Sequence, residues 1–212
     1  MYLSEFLTIA VAHLFAVASP GPDFAIVMRQ SISNGRGAGL WTSAGVALAI
    51  LLHVTYCVLG VGLLLSSSPN LFMAVKIIAA FYLVLLGYRA FRDSLRHAEI
   101  QVSDVDSQSH KPGKWLLTGF LTNGLNPKAT LFFLALFTVV IDIETPFLVQ
   151  AFYGVYLSLA TFCWFAMLSV ILAIGSVREW FLKSGAWFER IMGLVLIGLG
   201  LQLAWTLPPL SG

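Results

Sequence analysis

The stretch Ser19-Pro20-Gly21-Pro22-Asp23 decides how the first apolar segment folds, because it places two prolines around a glycine inside that segment. Proline lacks the backbone N–H and clashes with the preceding helical turn, so a helix that enters this stretch must be interrupted. A second stretch of the same kind, Asn123-Gly124-Leu125-Asn126-Pro127-Lys128, lies inside another apolar segment. The sequence therefore predicts two broken helices, each with a charged residue directly after a proline.

The composition around both stretches is that of a membrane protein. Of the 212 residues, 58% are hydrophobic and only 10% are charged, and the mean hydropathy is +0.88, whereas a soluble domain carries roughly 25% charged residues. A surface this poor in polar groups needs lipid as its solvent. The net charge is only +2 and the basic residues form no continuous stripe, which excludes nucleic acid as a partner.

Two further features exclude other classes of protein. Ala16-Val17-Ala18 resembles a secretory cleavage site, but no Lys or Arg precedes it and the apolar run resumes after Asp23, so we expect the first segment to be retained. Cys57 and Cys163 stand alone in separate apolar segments and form neither a CxxC motif nor a zinc-ligand spacing. We interpret both as small buried hydrophobic residues.

Windows of about 20 apolar residues, the length that a helix needs to cross a membrane, predict an all-α protein of about six transmembrane spans. They lie near residues 4–28, 39–66, 70–90, 115–141, 146–175 and 186–206. The long connector is polar, and its composition is typical of a mobile linker. We expect a first three-helix repeat over 1–91, a cytoplasmic linker over 92–114 and a second three-helix repeat over 115–212.

The two halves of the chain resemble each other. A shift of 105 residues superimposes Phe15, Pro22 and Asp23 on Phe120, Pro127 and Lys128. Three spans in each half would turn the second half upside down in the membrane, so the similarity predicts an inverted repeat with broken first and fourth spans. Chance similarity between helices rich in Leu, Val and Gly is the alternative.

The basic residues set the expected orientation, since Lys and Arg in short loops stay on the cytoplasmic side. They fall around the first, third and fifth connectors: Arg29, Arg36, Arg89, Arg92, Arg96, Lys111, Lys114, Arg178, Lys183 and Arg190. Lys76 and Lys128 are the exceptions, and both lie within spans. Both termini are then expected outside.

The residues at the two breaks suit an anionic group. Asn126 is a favoured N-cap residue and Pro127 a favoured first helical residue, so a half-helix is expected to start there with its N–H groups pointing into the membrane. Ser19-Pro20 or Gly21-Pro22 would do the same from the opposite side. Two helix N-termini that meet near the midplane offer partial positive charge to a carboxylate, as expected in a transporter of amino or organic acids. The alternative is that the prolines only kink packed helices.

Ionisable residues within the spans are candidates for the transport mechanism. Asp23 and Lys128 either pair with each other and contact a zwitterionic solute, or serve as a helix cap and a snorkelling side chain. His13, His53 and Asp23 are candidates for proton coupling, and the alternative for each histidine is a neutral ring bonded across helices. The predicted substrate-binding residues are Ser19, Pro20, Gly21, Pro22, Asp23, Asn126, Pro127 and Lys128.

In these motifs the chain resembles the LysE/RhtB family of amino-acid exporters of the bacterial inner membrane. The resemblance is carried by Ser19-Pro20-Gly21-Pro22, by Asn126-Pro127-Lys128-Ala129, by the stretch from Val75 to Gly87 and by the run from Gly193 to Gly200. It implies secondary export of an amino acid or derivative in exchange for protons, by a multi-pass protein that has no organic cofactor and is not an enzyme. It does not imply which solute is exported, and it leaves a homo-oligomer open.

Metal-ion exporters and thiol-redox carriers of the same superfamily are the alternatives. A metal exporter of this kind often carries a His-rich loop, whereas the 92–114 connector has only His97 and His110. A redox carrier would need cysteines that face each other in the membrane. An intramembrane enzyme would need a nucleophile or metal-ligand motif, and neither HExxH nor GxSxG is present.

The charge distribution predicts the topology, because Lys and Arg are retained on the cytoplasmic side. Alkaline phosphatase fused after Ser68 or at the C-terminus should be active, and phosphatase fused near Ser107 should be inactive. The activities of the three fusions in intact cells provide the measurement. The opposite pattern would overturn the assignment of both termini to the outside.

Overall fold

The chain is almost entirely helical in a computed structural model, which describes residues 2–19, 21–95, 111–142, 144–171 and 175–205. These residues form seven α-helices and no strand: α1 (Tyr2–Ala18), α2 (Pro22–Ser67), α3 (Pro69–Asp93), α4 (Pro112–Gly124), α5 (Pro127–Ala135), α6 (Phe147–Ile171) and α7 (Gly175–Trp205). A π-helical turn, Leu136–Val140, continues α5. The prediction of an all-α protein is confirmed.

Both predicted helix breaks are present. The first separates α1 from α2, which begins at Pro22, and the Gly21 carbonyl accepts the Ala25 N–H at 2.8 Å. The second separates α4 from α5, where the Asn126 side chain accepts the Lys128 N–H at 3.0 Å as the N-cap. Of the two predicted starts for the first half-helix, Gly21-Pro22 is therefore the one that the chain uses. Pro20 lies outside the described residues.

The predicted connector between the first two spans is wrong in extent, since α2 runs from Pro22 to Ser67 with a single non-helical residue, Gly35. Its backbone angles, φ +84° and ψ 175°, fall where a side chain is strained and glycine is not. Ser31 and Gly39 lie against each other across this residue. One glycine thus reverses the chain between the first two predicted spans, which end near residue 28 and begin near residue 39.

Helix α7 begins at Gly175, before the predicted start of the sixth span near residue 186, and its apolar part lies at Arg190–Gln202. Hydropathy windows detect apolar content, whereas Arg and Lys are good helix formers that extend a helix into polar surroundings. At the predicted linker, α3 runs to Asp93 and α4 begins at Pro112. Residues 96–110 of that linker lie outside the described part of the chain.

Pairwise contacts give the directions of the helices. α1 and α6 run parallel, because Glu5 contacts Tyr153 and His13 contacts Thr161. The part of α2 after Gly35 is antiparallel to α6, as Ser158 donates to the Ala47 carbonyl and Ser43 lies against Ser169. Together these contacts require the chain to reverse between α1 and the second part of α2, which fits the turn at Gly35.

Helices α3 and α7 are antiparallel and approach most closely at two glycines. A Cβ atom on Gly87 would lie 2.5 Å from the carbonyl oxygen of Gly193, and one on Gly193 would lie 2.7 Å from the Gly87 carbonyl oxygen. Real Cβ atoms do not approach an oxygen this closely. Small residues that let helix backbones touch are typical of packing in membranes, where lipid is as apolar as the side chains.

Many large apolar side chains of the described residues are exposed. α1 exposes Leu3, Leu7, Val11 and Leu14 on one side and buries Glu5, Ile9, Ala12 and His13 on the other. By length and composition, two stretches, Pro22–Gly60 and Phe147–Ile171, suffice to cross a membrane, and shorter apolar helices lie at Tyr2–Ala18, Pro127–Thr138 and Arg190–Gln202. The breaks at the prolines divide the first and the fourth predicted spans into these shorter helices.

Three residues bear on predictions for the apolar segments. Cys57 is buried as expected, but Cys163 is exposed on α6, so that part of the prediction is wrong. An apolar side chain that faces lipid is as well accommodated as a buried one, which removes the physical basis of the expectation. Trp205, near the end of α7, is 91% exposed, and tryptophan is typical of the interface between membrane and water.

A buried carboxylate ties α1 to the segment before α6. Glu5 is 7% exposed, and Thr145 donates to its Oε1 at 3.0 Å while Tyr153 lies 3.1 Å from Oε2. The backbone N–H of Asp142 adds a longer contact to Oε1 at 3.3 Å. Three donors from the 141–146 segment and α6 thus converge on one side chain of α1.

Removing the Glu5 carboxylate should destabilise the protein. Glu5→Ala leaves the Thr145 and Tyr153 hydroxyls without this acceptor, and each buried unsatisfied polar group costs about 1–3 kcal/mol. We expect a lower melting temperature for the purified variant in detergent. Glu144→Ala is the matched control, because it removes an exposed acid of the same segment. Equal melting temperatures for the two variants would show that the Glu5 contacts contribute nothing to stability.

Candidate functional site

The two helix breaks meet at one cavity of about 50 Å³. A water molecule needs roughly 10–15 Å³ of such volume, so the cavity has room for a few waters or part of a small solute. The breaks contribute Ser19, Gly21, Pro22 and Asp23 from one side and Asn123, Asn126, Lys128 and Ala129 from the other, and the remaining polar lining residues are His13 and Thr161. The predicted convergence of the two breaks is thus present.

Asp23 is held by the opposite break. Its Oδ2 atom accepts a hydrogen bond from Nδ2 of Asn123 at 3.0 Å and another from Nδ2 of Asn126 at 3.3 Å. Asn123 is 2% exposed and Asn126 is 6% exposed. Hydrogen bonds to an ionised acceptor are stronger than those between neutral groups, so these amides stabilise the ionised carboxylate of Asp23.

Lys128 reaches back to the first break. Its Nζ atom donates to Oγ of Ser19 at 3.0 Å, which holds the ammonium at the cavity. This contact favours a cavity role for Lys128 over the snorkelling alternative. The contacts described for the two charged groups join each to amides or hydroxyls of the other break, so the opposite charges share one cavity.

The N-cap of α5 determines which positive group of the second break lies at the cavity. Asn126 uses its own side-chain oxygen to accept the Lys128 N–H, and Pro127 has no N–H to offer. The sequence had suggested that amides at this helix start would face a carboxylate. In the structure the Lys128 ammonium is the positive group that lines the cavity.

The two histidines differ in position. His13 lines the cavity, is 4% exposed, and its Nε2 atom lies 2.9 Å from Oγ1 of Thr161. His53 is fully buried and does not line the cavity; its Nε2 atom lies 3.1 Å from the Asn123 carbonyl oxygen, and Nδ1 contacts the Tyr56 hydroxyl. Because a carbonyl only accepts, Nε2 carries the proton. His53 thereby fixes the end of α4 next to the second break.

Most of the predicted site residues come together. Ser19, Gly21, Pro22, Asp23, Asn126, Lys128 and His13 line the cavity. Pro127 begins α5 with an exposed ring, and Pro20 lies outside the described residues. The predicted site residues did not include Asn123, whose amide binds Asp23, or Thr161, which contacts His13. Asn123 belongs to the second break and could have been assigned from it, whereas Thr161 lies far along the chain in an unbroken apolar helix.

The rest of the cavity wall is apolar. It is formed by Phe24, Val46, Ile50, Phe132, Phe133, Phe165 and Met192, with Ala16 and Val17 of α1. Among the described residues, no group of three or more His, Cys, Asp or Glu side chains could hold a metal ion. An anionic group, a cationic group and an apolar wall around one space suit a small molecule that carries both charges and an apolar part.

Comparison with known families decides the class of this molecule. The family model described as LysE type translocator matches residues 14–206. The chain belongs to this family. LysE proteins that mediate efflux are integral membrane proteins of bacteria, and as translocators they are transporters rather than enzymes. The resemblance noted in the sequence is confirmed.

Individual relatives cover nearly the whole chain. The threonine efflux protein of Escherichia coli (strain K12) is 26% identical over 203 residues, which is 95% of this chain and 98% of that protein. The leucine efflux protein of Klebsiella pneumoniae is 30% identical over 209 residues, with 94% of both chains covered. The threonine efflux protein of Salmonella typhi is also 26% identical over 203 residues. No solved structure matches the chain significantly.

Proposed function

We propose that this LysE type translocator exports an amino acid or an amino-acid derivative across the bacterial inner membrane, driven by the proton gradient. The observation that carries the proposal is the cavity at which both helix breaks meet, with Asp23 and Lys128 on its wall. A free amino acid carries one negative and one positive group, and these two residues supply the complementary charges. The efflux of threonine and leucine by relatives supports the class of solute.

We propose six membrane spans in two inverted three-helix repeats, over 1–91 and 115–212, joined by a cytoplasmic linker over 92–114. Reciprocal contacts at the breaks support the repeat. Residues 21 and 126, like residues 23 and 128, are 105 positions apart. Asp23 contacts Asn126, and a Cβ atom on Gly21 would lie 3.7 Å from Nζ of Lys128. The shift of 105 residues that relates the two halves converts each of these contacts into the other.

Helix directions support the same six-span arrangement. A chain that crosses the membrane six times has parallel first and fifth spans and antiparallel third and sixth spans. The contacts of α1 with α6 and of α3 with α7 fit both relations. With the basic residues on the cytoplasmic side, both termini would face the outside.

For proton coupling we propose Asp23 and His13, because both line the cavity that would hold the solute. A proton on Asp23 would remove the negative charge that attracts an ammonium group, so that solute and proton compete for one site. Such competition gives exchange of one for the other when the site faces alternately inward and outward. His53 has a different proposed task, since its contact with the Asn123 carbonyl supports a structural role in positioning the second break.

Neutralising either charge should reduce efflux without reducing the amount of protein. Asp23→Asn keeps the size of the side chain and Lys128→Gln keeps most of its length, but each loses a charged hydrogen-bonding group. Hydrogen bonds to charged groups contribute about 1.5–3 kcal/mol, which corresponds to a loss of roughly tenfold or more. The measurement is efflux of radiolabelled threonine and leucine from preloaded cells that overproduce each variant.

Exposed residues of the same types provide the controls. Asp142→Asn and Lys114→Gln remove the same charges from exposed positions outside the cavity, and both should export at the wild-type rate. Wild-type efflux by Asp23→Asn and Lys128→Gln would contradict the site. Equal accumulation of a broad amino-acid panel in cells with and without the protein would contradict export itself.

A further inference from the structure

Two acceptor oxygens at the cavity have no hydrogen-bond partner among the described residues. They are Oδ1 of Asp23 and Oδ1 of Asn123, and both atoms are buried. The opposite atoms of the same side chains are bonded to each other, Nδ2 of Asn123 to Oδ2 of Asp23 at 3.0 Å. Most buried side-chain polar atoms have a partner, so two unsatisfied acceptors on neighbouring side chains require an explanation.

The orientation of the Asn123 amide is fixed by its surroundings. Its Nδ2 atom must donate to the Asp23 carboxylate, because a carboxylate only accepts. Its backbone carbonyl is held by His53 at 3.1 Å. The side chain is 2% exposed and lines the cavity. The Asn123 amide is therefore fixed in one orientation, and its Oδ1 atom is an acceptor with a defined position.

A group that satisfies both oxygens needs at least two donors and benefits from a positive charge. A primary ammonium has three N–H donors and no acceptor. A carboxylate has no donor, and a water molecule supplies two donors without the charge that Asp23 attracts. Lys128, the cationic residue of the second break, lies on the same cavity and is the complementary partner for a carboxylate.

We infer that the unsatisfied oxygens of Asp23 and Asn123 form a subsite for the α-ammonium group of the solute, with the α-carboxylate directed to Lys128. This inference rests on the proposed function and adds two things to it. It gives the bound molecule a direction, and it assigns Asn123 to substrate recognition. It also names a class of compounds that the site rejects: carboxylic acids without a free amine, including N-acylated amino acids.

A series of leucine analogues tests the subsite on the purified full-length protein in detergent. Leucine carries both groups, 3-methylbutylamine only the amine, 4-methylpentanoate only the carboxylate, and N-acetylleucine a blocked amine. Ligand-dependent shifts of the melting temperature give the apparent Kd of each compound, and threonine serves as a second amino acid. We expect both amino acids to bind, the amine to bind more weakly, and the two compounds without a free amine to give no shift.

Substitution of Asn123 tests the assignment of that residue. Asn123→Leu has a similar size but no acceptor, and we expect the apparent Kd for leucine to rise about tenfold, the effect of one lost hydrogen bond to a charged group. Asn70→Leu removes an exposed amide at the start of α3 and should leave the Kd unchanged. If Asn123→Leu does not melt cooperatively, the binding of the leucine analogues to the wild-type protein decides whether the subsite exists.

Each result has a definite consequence. Binding of 4-methylpentanoate or N-acetylleucine as tight as that of the amine would overturn the subsite, whereas the proposed function would stand if cells still export amino acids. A well-folded Asn123→Leu protein with unchanged leucine affinity would remove Asn123 from the subsite. Absence of binding by both amino acids would overturn the subsite, and the cellular efflux assay would then decide the proposed function separately.

Discussion

Backbone and polar groups freed by a broken helix must find partners within the protein, because the hydrocarbon interior of a membrane offers none. The rest of this structure depends on that constraint. Each break is stabilised by side chains of the other: the amides of Asn123 and Asn126 bind Asp23, and Lys128 binds Ser19. The polar groups of each break depend on the other break for their partners. The two halves of the chain are therefore held together by hydrogen bonds between their helix breaks.

The surrounding helices hold this junction in place. α6 runs beside α1 and supplies Thr161 to His13 and Tyr153 to Glu5. His53 of α2 binds the Asn123 carbonyl at the end of α4. Gly87 and Gly193 bring α3 and α7 into backbone contact. Among the described residues, polar contacts between helices cluster at the cavity and at the Glu5 end of α1, and further ones join α2 to α6, where Ser158 donates to the Ala47 carbonyl and Ser43 lies against Ser169.

The sequence predicted the features that depend on local chemistry. The two breaks followed from proline and glycine at positions 20 to 22 and 124 to 127, the cap at Asn126 from its residue type, and the family from these motifs. Features set by tertiary contact were missed. Thr161 has no local signal, and its role follows only from the parallel packing of α1 and α6. The helical residues on both sides of Gly35 and the start of α7 at Gly175 were missed because hydropathy does not report helix propensity.

The central claim is that the amino acid binds at the cavity where the breaks meet, and substrate protection of a cysteine there tests it most directly. Ala16→Cys adds a thiol to the cavity wall without removing a polar group, and Leu125→Cys adds one at the exposed side of the second break. With Cys57 and Cys163 replaced by serine, the alkylation rate of each single cysteine is measured with and without leucine or threonine. We expect the amino acid to slow alkylation at position 16 and to leave position 125 unchanged. Equal rates at position 16 with and without both amino acids would contradict the account.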